Sequence, residues 1–196
     1  MGSYQTIKNR SEAFLKEKGS KFYAYAFPIQ AAEEVKELLA SVESQHPKAR
    51  HICTAFLIGQ GSDEYYLVND DGEPSNSAGM PILAAIRSAE ITNTYIAVVR
   101  YFGGTKLGMG GLIQAYRGVA REAIESNKII TIEPKDSFTL KVNYTLLGEV
   151  LSVADKNNLN IKQEHQADYV LIRIECKEKE LEKIKGLFDR FEVEID

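Results

Sequence analysis

Five glycines with flanking cations form the segment of this sequence whose residue types most clearly indicate chemistry. The glycines fall within nine residues, between an apolar run, TYIAVVRY, and the start of a helical pattern. Glycine allows positive φ and has no Cβ, so consecutive N–H groups can form a concave anion site. A helix N-terminus adds unpaired N–H groups and the positive end of the helix dipole. The spacing predicts a phosphate or phosphodiester site at Gly103, Gly104, Gly108, Gly110 and Gly111.

The same glycines also have a structural interpretation, in which they only allow a tight strand-to-helix turn against a neighbouring backbone. Neither G-x-x-x-x-G-K-[ST] nor G-x-G-x-x-G occurs here, so no nucleotide-binding fingerprint decides between the two. The sequence leaves both interpretations open.

Cationic residues surround this loop and make the region locally positive. Between Arg100 and Lys128, five Lys and Arg stand against two Asp and Glu, a local charge of +3 in a chain of −4. Arg117 and Arg121 lie one helical turn apart and could extend a cationic track along a nucleic-acid backbone. The predicted binding residues besides the glycines are Arg100, Tyr101, Lys106, Tyr116, Arg117 and Arg121.

Two adjacent aromatic residues follow Arg100 at the end of the apolar run. Neighbouring residues on a strand point to opposite faces, so one of Tyr101 and Phe102 is expected in the core and the other at the surface. An exposed aromatic ring beside a basic loop can stack on a nucleic-acid base.

An acidic loop, DDGEP, is the second candidate. The carboxylates of Asp70, Asp71 and Glu73 could hold Mg²⁺, which prefers oxygen ligands and often completes its shell with substrate phosphates. Asp and Gly are also turn residues, and Ser75 or Ser77 would serve as the N-cap of the next helix. The structural use is the preferred interpretation, and the three carboxylates stay weak magnesium candidates.

His51 and Cys53 are predicted on one face of a strand. Residues two apart on a strand lie ~6–7 Å from each other, which makes a Cys–His nucleophile awkward. A buried cysteine acting as a small hydrophobic residue is preferred. No catalytic residue or cofactor is predicted, and the candidate lining of a groove is His51, Cys53, Asp70, Asp71, Glu73 and Ser77.

The composition indicates a folded protein of one large or two small domains. The chain has 196 residues, with 44% hydrophobic and 27% charged residues and only two cysteines. It contains no apolar run near the ~20 residues that a membrane span needs. We therefore expect a soluble, reduced, cytoplasmic protein. The acidic balance excludes a uniformly cationic nucleic-acid coat but allows a local basic site.

A boundary near IEPKD divides the chain into residues 1–134 and 135–196. The second part alternates apolar and polar residues at Phe138–Tyr144 and again at Tyr169–Cys176, with helical spacing after each run. The resulting order, β-α-β-β-α-β with a last strand at FEVEID, predicts a ferredoxin-like domain. The first part mixes strands and helices, so the predicted fold class is α+β.

The combination of DDGEPSNSAGMPIL with RYFGGTKLGMGGLIQAY resembles the YigZ/IMPACT family over most of residues 12–130. The tail is similar to the C-terminal domain of bacterial members, which resembles the last domain of elongation factor G. Many relatives have Gly-Thr-Ala-Gly where this chain has SNSAG. The resemblance implies a two-layer α/β sandwich of the type found in a ribosomal protein and the GHMP kinases. In those kinases a loop matching Gly103–Gly111 holds nucleotide phosphates.

The resemblance also bears on partners. Eukaryotic members regulate translation initiation by binding the activator of a starvation-sensing kinase, with the help of an added recognition domain. That domain is not found in this sequence, so that partner is not carried over. We expect a non-enzymatic protein that binds RNA, the ribosome or translation factors through the Gly-rich basic loop. The alternative is a magnesium-dependent enzyme or binder of a phosphorylated small molecule or nucleotide, and the oligomeric state is left open.

Overall fold

The computed structural model describes residues 2–191 and 193–195. They form two compact units, which we call the N-terminal and C-terminal units. The N-terminal unit is Tyr4–Ile132, and the C-terminal unit holds the described residues from Glu133 onward together with residues 2 and 3. Each has a hydrophobic core of its own.

A five-stranded antiparallel sheet organises the N-terminal unit. The strands of this unit are β1 (Tyr4–Ile7), β2 (Ser11–Glu17), β3 (Ser20–Pro28), β4 (His51–Ile58), β5 (Tyr65–Asn69), β6 (Thr94–Tyr101) and β7 (Ile129–Ile132). The strand order of the sheet is β2-β3-β6-β4-β5, and a separate antiparallel ribbon pairs β1 with β7. The apolar run TYIAVVRY is the central strand β6, and burial on both faces explains why most of its residues are apolar.

Three helices cover this sheet, namely α1 (Glu34–Gln45), α2 (Gly79–Ser88) and α3 (Gly108–Glu125). The helices α2 and α3 share a core with one face of the sheet, and α3 buries the stripe that its sequence predicts. The predicted two-layer sandwich corresponds to this sheet with α2 and α3. Helix α1 packs on the opposite face, where its apolar stripe meets a group of aromatic rings.

The end of β6 sets the geometry of the candidate site. Arg100 is the register partner of Phe22 on β3 and of His51 on β4. Side chains directly opposite on neighbouring strands share a face with Cβ atoms about 4.5–5.5 Å apart. Arg100 and His51 therefore project to the α3 side of the sheet, and Tyr101, the next residue, projects to the α1 side.

The elements of the C-terminal unit are β8 (Lys135–Asn143), α4 (Tyr144–Lys156), β9 (Asn160–His165), β10 (Tyr169–Lys177), α5 (Leu181–Lys185) and β11 (Glu194–Ile195). Its strands form a four-stranded antiparallel sheet with the order β11-β8-β10-β9. This is the predicted β-α-β-β-α-β order of a ferredoxin-like fold. The observed last strand is shorter than the FEVEID prediction, of which residues 192 and 196 lie outside the described residues.

Among the described residues, no helix combines the length and apolar character needed to cross a membrane.

Candidate functional site

A cleft of about 730 Å³ opens in the N-terminal unit, between the ends of β4 and β6, the acidic loop and the start of α3. Four cations and one carboxylate line it, a formal charge of +3 with histidine neutral. We call it the basic cleft. Its lining is Lys48, Arg50, His51, Glu73, Pro74, Arg100, Tyr101, Phe102, Lys106, Leu107, Gly108, Met109 and Leu112.

A buried ion pair forms the inner wall of the basic cleft. Arg100 Nη1 lies 2.6 Å from Glu73 Oε1, and the two side chains are only 8% and 4% exposed. The same carboxylate oxygen accepts a hydrogen bond of 2.8 Å from the hydroxyl of Tyr116 on α3. These contacts join the acidic loop to both β6 and α3. Arg100 Nε is also buried and has no hydrogen-bond partner among the described residues.

Cys53 lies behind this pair as a protonated thiol. Its sulfur is 3.0 Å from the carbonyl oxygen of Asp70 and 3.3 Å from the hydroxyl of Tyr116. Burial raises the pKa of the Cys53 thiol to about 12, and nearby carboxylates act in the same direction. Burial also raises the pKa of the Tyr116 hydroxyl. Both groups are therefore neutral near pH 7, and a neutral thiol is a poor nucleophile.

His51 has a fixed tautomer at the rim of the basic cleft. Its Nδ1 lies 2.7 Å from the carbonyl oxygen of Asp71. A carbonyl oxygen can only accept, so Nδ1 carries the proton and donates it. In the neutral ring, Nε2 is then left as a hydrogen-bond acceptor.

The three carboxylates of the acidic loop have three separate structural roles. Asp70 accepts hydrogen bonds of 2.8–3.0 Å from backbone N–H groups at the start of α2. Asp71 accepts one of 2.6 Å from the backbone N–H of Ile52, and Glu73 binds Arg100. No group of three or more His, Cys, Asp or Glu side chains in residues 2–191 and 193–195 is arranged to hold a metal ion. The arrangement gives the magnesium candidates no support.

The predicted serine cap of α2 is wrong. The N-cap position of α2 is Ala78, and no side chain caps from there. The capping oxygen comes from Asp70, eight residues earlier, because the loop folds back on the helix N-terminus. Ser77 is fully buried, and its hydroxyl has no partner within the described part of the chain.

Glycines of the loop serve the structural use that the sequence left open, and the anion site stays a prediction. A Cβ on Gly103 would lie 1.8 Å from the carbonyl carbon of Gly19, so this glycine allows the loop to approach the β2–β3 turn. Gly104 and Gly108 have φ of +89° and +70°, which favours glycine. Helix α3 begins at Gly108 without a side-chain cap, and its first residues line the basic cleft. Its first N–H groups are thus available to an anion.

Two cations of the basic cleft were missed by the sequence analysis, which also left open which of Tyr101 and Phe102 is exposed. Lys48 and Arg50 precede β4 and are exposed, some 50 residues from the Gly-rich loop. Only the pairing of β4 with β6 brings them to it. Phe102 is the exposed aromatic residue, at 57%. The Tyr101 ring is partly buried, and its hydroxyl pairs with Nδ1 of His46 at 3.0 Å.

Arg117 and Arg121 lie elsewhere. They line a second groove of about 780 Å³ beside α2 and α3. This groove has no lining residue in common with the basic cleft. Arg117 donates to Ser88 Oγ at 3.1 Å, and Arg121 pairs with Glu125 at 3.5 Å. The structure therefore does not continue the cationic surface of the cleft along these two arginines.

Comparison with known proteins gives consistent matches. The model of the Impact N-terminal domain matches residues 18–124. The IMPACT family member YvyE of Bacillus subtilis (strain 168) is 32% identical over 178 residues, covering 91% of this chain and 82% of the relative. YigZ of Escherichia coli (strain K12) is 34% identical over 159 residues, covering 80% and 78%.

A solved structure also matches the whole chain. It is described as the crystal structure of a hypothetical protein, with a TM-score of 0.72 and 27% sequence identity. The match covers 100% of this chain and 97% of that chain. It supports the two-unit α+β fold.

Proposed function

Because the chain belongs to the IMPACT family, we propose that it is a binding protein linked to translation, and that its basic cleft holds an RNA backbone. The eukaryotic members that the sequence resembles regulate translation initiation, which supports the link to translation. The observation that carries the proposal is a cleft with four cations and one carboxylate in a chain whose net charge is −4. The role is performed in the cytoplasm, on free RNA or on the ribosome.

Three cations of the cleft are available to phosphates. Lys48, Arg50 and Lys106 are exposed, and none has a salt bridge within the described residues. Arg100 is already paired with Glu73 and serves to shape the wall. Lysine and arginine contacts to phosphates give affinity and orientation without sequence preference.

Salt dependence follows from this charge distribution. Each phosphate contact to a single strand lowers the slope of log K against log salt by about 0.7, so three contacts predict a slope of about −2. The acidic remainder of the chain repels a polyanion at long range, which keeps the affinity modest and strengthens its dependence on salt.

The test is fluorescence anisotropy with a labelled RNA oligonucleotide over a salt series. Lys106→Ala and Arg50→Ala should each weaken binding and reduce the salt slope by about one contact. Lys36→Ala is the matched control, because Lys36 is exposed on α1 and lines neither groove. Unchanged binding and slope in both cleft variants would sink the proposal.

A further variant separates the two grooves. Arg121→Ala removes a cation of the second groove, and the proposed cleft predicts little effect on RNA affinity. A loss as large as that of Lys106→Ala would move the RNA contact to α3 and the second groove. Co-sedimentation of the same variants with ribosomes tests the link to translation directly.

A phosphorylated small molecule is the second candidate ligand, favoured by the uncapped first turn of α3 in the basic cleft. The test is a thermal-shift series with inorganic phosphate and nucleotides. This candidate is supported over the first if two results are found together. The wild-type protein shows no RNA affinity, and its unfolding temperature rises with phosphate or nucleotide but does not rise in Lys106→Ala.

A further inference from the structure

We propose that the basic cleft takes unpaired nucleotides, with one base stacked on Phe102 and the adjoining phosphates on the exposed cations. This inference rests on the proposed function and names the substrate class of the same site: single-stranded rather than double-stranded RNA.

The first observation is the placement of Phe102. Its ring is 57% exposed and lies on the wall of the cleft. The Arg100 guanidinium lies 5.7 Å from the ring centroid, and that guanidinium is itself held by Glu73. Gly103, the next residue, is packed against the β2–β3 turn. The contacts of Arg100 and Gly103 therefore hold the Phe102 ring at a defined position on the cleft wall.

The second observation is an aromatic recess that adjoins the cleft. A pocket of about 450 Å³ is lined by Gly19, Lys21, Tyr23, His46, Tyr101 and Phe102. Tyr101 and Phe102 line both this recess and the basic cleft. Phe102 therefore lies between two surfaces that each carry exposed cations, with Lys21 on the side of the recess. A single strand crossing Phe102 would meet positive charge before and after the stacked base.

The chemistry favours an unpaired base. Within a duplex both faces of a base are covered by its neighbours, and an exposed ring has nothing to stack on. In a single strand the base can turn onto an aromatic ring, while its phosphates remain on lysine and arginine. Phenylalanine has no hydrogen-bonding group, so this contact should tolerate all four bases.

The experiment is a cycle that removes the base and the ring separately. The full-length protein is titrated with a labelled oligouridylate of about 12 nucleotides and with an abasic ribose-phosphate oligomer of the same length. Wild type should bind the oligouridylate about 5- to 100-fold more tightly than the abasic oligomer. Phe102→Ala should bind the two probes equally, at the wild-type affinity for the abasic oligomer. The affinity for duplex RNA, whose bases are already stacked, should be the same in Phe102→Ala as in wild type.

Two further variants protect the interpretation. Phe102→Tyr keeps an aromatic ring and should keep the preference, whereas Phe102→Leu keeps a large apolar side chain without a ring and should lose it. Tyr65→Ala, which removes a 54% exposed ring on β5, is the matched control and should leave the affinity for both probes at the wild-type value. A Phe102→Ala protein that still prefers oligouridylate overturns the stacking contact and leaves the RNA proposal standing. If the wild-type protein binds neither probe at low salt, both the stacking contact and the proposed RNA binding are wrong.

Discussion

At the scale of single residues, the pair of Arg100 and Glu73 is the feature on which the cleft depends. A buried ion pair contributes little net stability compared with apolar side chains, but removing one partner leaves a buried charge without compensation. We predict that Glu73→Gln lowers the free energy of unfolding by about 3–5 kcal/mol, measured by urea denaturation. Lys135→Ala breaks an exposed pair with Glu175 and should cost far less, because solvent screens an exposed ion pair. Equal costs would contradict the structural role given to Glu73.

Cys53 gives a second prediction at this scale, on pH. Its pKa is about 12 in the folded protein, against about 8.5 in an unfolded chain. Above pH 9 the unfolded state therefore loses a proton that the folded state keeps, and the free energy of unfolding must fall as pH rises. Burial raises the pKa of Tyr25, Tyr95 and Tyr116 too, and these act in the same direction at higher pH.

The measurement is urea unfolding from about pH 8.5 to pH 10, below the range where tyrosines of the unfolded chain titrate fully. Cys53→Ala should flatten the curve by up to about 1.4 kcal/mol per pH unit, the value for one proton. A slope identical to wild type would mean that the Cys53 thiol ionises equally in both states.

At the scale of elements, the contact of the Gly-rich loop with the β2–β3 turn decides where Phe102 and Lys106 stand. A Cβ on Gly103 would overlap the backbone at Gly19 and Ser20, which cannot move aside as a side chain would. We predict that Gly103→Ala costs about 1–3 kcal/mol and also weakens RNA binding, because the loop must shift.

Gly110→Ala is the matched control for that prediction. Gly110 lies in the first turn of α3, has ordinary φ, and a Cβ there would meet nothing within 4 Å. Alanine in a helix is favoured over glycine by about 0.5–1 kcal/mol, so this variant should be neutral or stabilised in thermal unfolding. A destabilised Gly110→Ala would contradict the assignment of Gly103 as the position that cannot carry a side chain.

At the scale of the whole molecule, the two units have separate cores, and the proposed binding surface belongs to one of them. Ile172 is fully buried in the core of the C-terminal unit. We predict that Ile172→Ala lowers the stability of that unit by about 2–5 kcal/mol while RNA affinity, measured well below the unfolding transition, stays at the wild-type value. A loss of affinity in the folded variant would show that the C-terminal unit takes part in binding.

The sequence by itself determined the elements whose signal is local. Alternation at Phe138–Tyr144 and the apolar run of β6 predicted strands. The apolar stripe of α3 predicted the face that this helix buries. The combination of the acidic-loop motif with the Gly-rich motif predicted the family. The short ribbon of β1 with β7 was missed, because four residues carry little periodicity and the two partners lie at opposite ends of the unit.

Only the tertiary structure decided which charged groups share a surface. The pairing of β4 with β6 brings Lys48 and Arg50 close to Lys106. The packing of α3 places Arg121 in the second groove. The fold of the acidic loop makes Asp70 the cap of α2. Such encounters depend on register and crossing geometry between distant segments, whereas local spacing reports only the face of one element on which a residue lies. The residue types of the basic cleft can be recognised in this sequence, but the fold decides which of those residues line it.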